Sequence, residues 1–228
     1  MSQAHFSPKL FKFLKDLAVN NDRDWFQANK ERYEDELREP AQAFISDFGP
    51  QLRKISPHFR ADPRKVGGSL FRIHRDVRFS KDKSPYKTHT GIQFRHRAGK
   101  DVHAPGFYLH LEPGGCFAGV GIWHPDGEAT KNIRSFLIDN TARWQRLTGA
   151  KRFRETFALT GDSLKRPPRG FDPDHPLIED LKRKDFIAVH KLSQKDVTAK
   201  DFLKRYTDLC RTGSALVEAL CKAVKVAY

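Results

Sequence analysis

FYLHLEPGGCFAGVGIW, residues 107–123, is the stretch of sequence that decides the fold. Apolar residues alternate with polar or small ones on both sides of a Pro-Gly-Gly turn, and this period of two is typical of a β-hairpin. The apolar positions of both strands share one face: Phe107, Leu109, Leu111, Val120 and Ile122. The opposite face of the second strand carries Gly119, Gly121 and Trp123. A sheet with one apolar face is therefore predicted around this hairpin.

Strands and helices extend from the hairpin in both directions. Ile92 and Phe94 alternate with polar residues, a further strand is predicted to begin at Phe71, and another to run from Phe186 to Leu192. Apolar residues at helical spacing occupy the two ends of the chain. We predict an α+β fold in one domain over residues 1–228, with a central antiparallel or mixed sheet. The predicted boundaries are N-terminal helices at about 8–56, strands at about 69–123 and a mainly helical C-terminal part at about 128–225.

Several helix ends are marked by capping residues. Ser7 followed by Pro8 is typical of a helix start, and Asp22 or Asp24 can cap a second helix. A single helix is predicted from about Glu128 to Leu147, and Thr198 is predicted to cap the last one. The aromatic and aliphatic stripes of these helices are predicted to form the core.

Composition excludes some classes of protein. No apolar run approaches the roughly 20 residues of a membrane helix, so no membrane partner is predicted. The chain starts without the apolar segment of a secretory signal. Its three cysteines are an odd number and form no CxxC pair, which favours reduced thiols. These features together predict a cytoplasmic protein.

The positive charge is concentrated in one part of the chain. Residues 64–100 hold eleven basic and two acidic side chains, a net +9 of the total +14. Such a field attracts phosphates, carboxylates or nucleic acid.

Within that region, FRIHRDVRFSKDKSPYK, residues 71–87, is the predicted site. Its two acids cannot neutralise its six cations, so we expect a small phosphorylated or carboxylated ligand to bind there. The predicted binding residues are Arg72, His74, Arg75, Arg78, Lys83, Tyr86 and Lys87. Asp76 is predicted to orient the arginines. Whether the protein is an enzyme stays open, and His74 is the weak candidate for a proton carrier.

Two alternatives remain for the same segment. The cations can follow a nucleic-acid backbone while Tyr86 or Phe79 stacks on a base. Alternatively, the segment belongs to a structural or partner-binding domain in which each cation is paired with a protein carboxylate. Convergence of the cations in a concave pocket would favour the small ligand, and an exposed stripe would favour nucleic acid.

The polar face of the hairpin offers a weaker metal signal. His110 and Glu112 point the same way, and His124 follows the partner strand, but strand geometry puts His124 about 15 Å or more away. We therefore predict no metal site and no cofactor. The space above Gly119 and Gly121 suits either a ligand or a packed helix, and the helix is the favoured interpretation.

Five stretches of the chain resemble an uncharacterised conserved family, a domain of unknown function found in bacteria and some eukaryotes. They occur in the same order over nearly the whole chain: NNDRDWFQANKERYE (20–34), FRIHRDVRFSKDKSPYKTH (71–89), GFYLHLEPGG (106–115), GIWHP (121–125) and RGFDPDHP (169–176). The resemblance implies a single cytoplasmic domain. It implies no activity, cofactor or catalytic residue.

Overall fold

A five-stranded antiparallel sheet forms the centre of the fold in the computed structural model, which describes residues 4–98 and 104–228. The strand order is β1-β2-β3-β5-β4. The strands are β1 (Thr90–Arg95), β2 (Gly106–Leu111), β3 (Phe117–Ile122), β4 (Ala158–Thr160) and β5 (Phe186–Lys191). The predicted hairpin is confirmed as β2 and β3, with Tyr108 opposite Gly119 and Leu109 opposite Ala118. The α+β class, with helices at both ends, is also confirmed.

The N-terminal helices start where the capping residues predict. The Ser7 side chain accepts a hydrogen bond from the Lys9 N–H, and Asp22 caps the second helix through the Trp25 N–H at 2.8 Å. The predicted second helix is divided, because the backbone of Asn29 leaves the helical region at φ −108°. The elements are α1 (Pro8–Val19), α2 (Arg23–Ala28), α3 (Lys30–Tyr33), a π-helical turn (Glu34–Arg38) and α4 (Glu39–Ile55).

The C-terminal half differs from the prediction at two helix boundaries. The single helix expected to Leu147 breaks at Asn140, whose side-chain amide donates to the Phe136 carbonyl and competes with the helical backbone. Thr198 ends a short helix capped by Ser193, and the last helix follows Asp201 instead. The helices are α5 (Gly127–Asp139), α6 (Thr141–Gly149), α7 (Lys151–Thr156), α8 (Ile178–Leu181), α9 (Gln194–Val197) and α10 (Phe202–Ala223).

Helix α10 packs on one face of the sheet and closes the core. The two approach closely at Gly213, where an added Cβ would lie 2.8 Å from Cγ1 of Val120. The apolar residues of the strands are fully or almost fully buried on this side, as the alternation predicts: Ile92, Phe94, Phe107, Leu109, Val120 and Ala188.

The strand predicted from Phe71 is the main error in the fold. Residues 70–86 make isolated bridges instead of a continuous ladder, with Leu70 opposite Ile92 and His74 opposite Tyr86. Asp76 and Asp82 accept hydrogen bonds from backbone N–H groups two residues ahead, which favours turns over strand pairing. The segment therefore lies against β1 at Phe71 and then folds into a loop that returns at Lys87.

No helix within the described ranges is long and apolar enough to cross a bilayer.

Candidate functional site

A cavity of about 420 Å³ lies on the sheet face opposite α10. The basic segment borders it through Phe71 and Lys87, and His89 lies just after the segment, while the strands supply the rest of the wall. The wall residues from the strands and from the end of β3 are mainly apolar or small: Gln93, Gly106, Phe107, Tyr108, Phe117, Gly119, Val120, Gly121, Trp123, Ile187 and Val189. A concave, mainly apolar space of this size is typical of a small-molecule site.

The small residues of β3 create this space. A Cβ added at Gly119 would meet only ordinary contacts, the nearest 3.7 Å away at Cβ of Tyr108. Gly121 has φ +122°, and a Cβ there would lie 2.1 Å from the Phe186 carbonyl oxygen, so backbone pairing requires this glycine. The favoured expectation of a helix above these glycines is wrong, because no helical residue of the described chain lines the cavity.

Lys87 and His89 are the two ionisable side chains that this part of the chain adds to the cavity wall. The ammonium of Lys87 donates to the Arg72 carbonyl at 3.0 Å and lies 5.7 Å from the centre of the Phe71 ring. Burial, together with the nearby charge of Arg72, lowers the pKa of Lys87. Burial also lowers the pKa of His89, which favours the neutral imidazole. Lys87 keeps unused N–H donors, because an ammonium has three.

A chain of polar side chains continues from the cavity wall into the sheet. The Tyr108 hydroxyl lies 3.0 Å from Nδ1 of His110, and Nε2 of His110 lies 3.1 Å from Glu112. The His110 ring stacks against those of His89 and Phe117, with 4.6 Å between centroids in each case. Burial lowers the pKa of His110 and raises the pKa of Tyr108 to about 12. Tyr108 is therefore a neutral phenol at physiological pH.

Two of the predicted arginines are paired within their own loop. Asp76 accepts hydrogen bonds from Arg78, which lower the pKa of Asp76 to about 2. Asp82 forms an ion pair with Arg75 and also accepts from Ser84. Asp76 thus contacts Arg78, one of the arginines that it was predicted to orient.

The other predicted residues do not converge on one site. Lys83 donates to the Val77 carbonyl, and Tyr86 is buried with its ring stacked 4.1 Å from that of Phe26. His74 is exposed beside the same two aromatic rings, and Arg72 is exposed. Of the seven predicted binding residues, Lys87 is the one that lines the cavity, as far as the described residues show.

Sequence reasoning missed His89 and the aromatic wall. The alternation of the hairpin did place Tyr108 and His110 on the polar face, yet nothing local indicated that His89 would stack on His110. His124 lies elsewhere, as strand geometry predicted, and its Nδ1 pairs with buried Asp185 at 2.7 Å.

Comparison with known proteins identifies the family. A search of curated proteins finds no match to this chain. One family model, described as "Conserved hypothetical protein (DUF2461)", matches residues 9–218 and so spans the sheet, the basic segment and the cavity. The chain belongs to this conserved hypothetical protein family.

Proposed function

We propose that the protein binds a small ligand that has an apolar body and one anionic group, such as a carboxylate or a phosphate. The observation that carries the proposal is the cavity of about 420 Å³ on the open sheet face, whose wall is mainly apolar with a lysine at one side. Most of a small ligand's surface would be buried in a space of this size.

The apolar body would contact the aromatic wall. Phe71, Tyr108 and Phe117 surround one side, and the rings of Phe71 and Tyr108 lie 6.1 Å apart. Ile187 and Val189 supply an aliphatic floor from β5. Flat or branched apolar groups gain about 25 cal/mol for each Å² that such a surface removes from water.

The anionic group would bind at Lys87. The ammonium is partly buried, and the arginines of the basic segment raise the positive potential around it. A charge-assisted hydrogen bond is stronger in a partly dry site than in water. The predicted residues Arg72, Arg75, Arg78 and Lys83 would then act at longer range, by attracting the anion to the mouth of the cavity.

A pair of matched aromatic probes tests this proposal. We expect 1-naphthoate to bind more tightly than 1-naphthylmethanol in isothermal titration calorimetry, since the two share an apolar body and differ in charge. Gly119→Val fills the cavity and should weaken both probes. Lys87→Met should weaken naphthoate about tenfold, as expected for the loss of one charge-assisted hydrogen bond, and leave the alcohol unchanged.

Lys83→Met is the matched control, because Lys83 lies in the same segment and outside the cavity wall. It should change naphthoate binding less than twofold. Equal losses from Lys83→Met and Lys87→Met would show a diffuse charge effect and contradict the site. Binding that is unchanged in Gly119→Val would contradict the cavity.

Nucleic acid is a second candidate, and one observation favours it. Phe79 is 96% exposed at the tip of the basic loop, with the Arg78 guanidinium 5.8 Å from the centre of its ring. An exposed aromatic ring beside cations is a feature of single-strand binding. Under this alternative, oligonucleotide binding would fall steeply with salt and be lost in Phe79→Ala, whereas Gly119→Val would have no effect.

The three cysteines support the expected cytoplasmic location. Cys116, Cys210 and Cys221 are free and buried. A chain with reduced thiols in its core suits a reducing compartment.

A further inference from the structure

Three potential metal ligands meet beside the cavity. His89 follows the basic segment, while His110 and Glu112 belong to the end of β2 and the residue after it. One ligand atom from each lies within 4.8 Å of the other two. His89 also lines the cavity, whereas His110 is buried, so the three side chains lie at the edge of the cavity.

We propose that His89, His110 and Glu112 bind one divalent first-row transition metal ion, such as Zn²⁺ or Fe²⁺, at the edge of the cavity. Two imidazoles and one carboxylate are a donor set that holds such ions and leaves coordination positions open. The site stands independently of the proposed ligand, because it rests on these three side chains alone.

The distances suit this coordination. Ligand atoms about 2.1 Å from a tetrahedral metal lie roughly 3.4 Å from one another. Nε2 of His110 and the Glu112 carboxylate are already 3.1 Å apart. His89 has a ligand atom within 4.8 Å of the other two, and its partly exposed ring would turn from its stack on His110 to reach the same spacing.

Metal binding would change which ring nitrogen of His110 carries the proton. Without metal, Nε2–H donates to Glu112 while Nδ1 accepts from the Tyr108 hydroxyl. When the metal takes the Nε2 position, the neutral imidazole carries its proton on Nδ1 and donates it to the Tyr108 oxygen. No net proton is released by His110. Tyr108 thereby becomes the positioning residue, because an outer hydrogen bond of this kind fixes the tautomer and the ring.

The surrounding charge determines what the open positions would attract. Glu112 contributes one negative charge, and Lys87 and Arg75 act on His89 from the basic segment. The metal and its ligands would therefore keep a net positive charge, which favours an anionic donor on the cavity side.

The test uses the full chain without an affinity tag, treated with a chelator and then titrated with Co²⁺ and Zn²⁺ alone. We expect one ion per chain and Co²⁺ absorption bands of a four- or five-coordinate site. His89→Gln and Glu112→Gln should each weaken binding by roughly 100-fold. Tyr108→Phe should weaken it about tenfold without changing the stoichiometry, in line with the loss of an outer hydrogen bond.

His5→Gln is the control, since His5 pairs with Asp47 at 2.8 Å and is not one of the three proposed ligands. It should leave Co²⁺ binding unchanged, and circular dichroism should verify that every variant is folded. The proposal fails if the wild type shows only the spectrum of hydrated Co²⁺. It also fails if His89→Gln and Glu112→Gln bind the ion as the wild type does. Failure here leaves naphthoate binding unaffected, because that experiment contains no metal.

Discussion

The two faces of the sheet have the same strand alternation and opposite surroundings. On one face Phe94, Leu109 and Val120 are buried, and α10 packs on this face through Tyr206 against Phe94 and through Gly213 against Val120. On the other, Gly119 and Gly121 leave a cavity bordered by the basic segment. Burial on the first face stabilises the fold. On the second face, aromatic side chains line the cavity and are not covered by other parts of the described chain. An incompletely covered sheet face is therefore where binding is expected in this molecule.

The largest expected difference between the faces is in stability. Phe94 is 0% exposed and contacts Phe48 and Tyr206, so Phe94→Ala removes a core ring and leaves a void. We expect a loss of about 3–5 kcal/mol in the free energy of unfolding. Phe71→Ala removes a ring from the partly exposed cavity wall and should cost about 1 kcal/mol. Urea titrations followed by circular dichroism measure both values.

The comparison depends on the ratio of these two losses. Similar losses would mean that the cavity face is packed as tightly as the core face. A small loss for Phe94→Ala would contradict the placement of the core beneath α10.

Two glycine variants test the same difference between the faces, with smaller expected changes in stability. Gly213→Ala would place a Cβ 2.8 Å from Val120, a β-branched residue with little freedom to move. The expected cost is about 1–3 kcal/mol, although alanine favours the helix. Gly119→Ala meets nothing closer than 3.7 Å and should be neutral or slightly stabilising. Thermal unfolding of the two variants beside the wild type decides between these outcomes.

A reversed order of the glycine variants would contradict the two-face description. If Gly119→Ala were the more destabilising, the space above β3 would be filled by protein. An unchanged melting temperature in Gly213→Ala would show that α10 does not pack closely on β3.

Much of the fold follows from local patterns. The hairpin at 106–122, the caps at Ser7 and Asp22 and the long C-terminal helix all arise from short-range periodicity or hydrogen bonding. The strand predicted from Phe71 was wrong because Asp76 and Asp82 bind their own backbone neighbours, an energetic competition that alternation does not reveal. The break at Asn140 has a similar cause.

The candidate site follows from the sequence only in part. The alternation of β2 placed His110 and Glu112 on one face, and the charge count drew attention to the segment that contains Lys87. The cavity depends on which face α10 covers, and that is decided by packing between distant parts of the chain. His89 immediately precedes β1 and His110 lies on β2, so their contact depends on the register of the β1–β2 pair, which their spacing in the sequence does not give.

The smallest expected effect is a difference in fluorescence quenching between two tryptophans. Trp123 lines the cavity and is 49% exposed, whereas Trp144 is 1% exposed and donates from its indole to Asp180 at 2.9 Å. Acrylamide should quench the fluorescence of a variant that keeps only Trp123 severalfold more than one that keeps only Trp144. Phenylalanine replaces the other tryptophans in each variant. Saturating 1-naphthylmethanol should reduce quenching of Trp123 alone, since the probe would occupy the adjacent space. Equal quenching in both variants would contradict the contrast between the open and the covered face. Unchanged quenching of Trp123 with bound probe would put the binding site elsewhere.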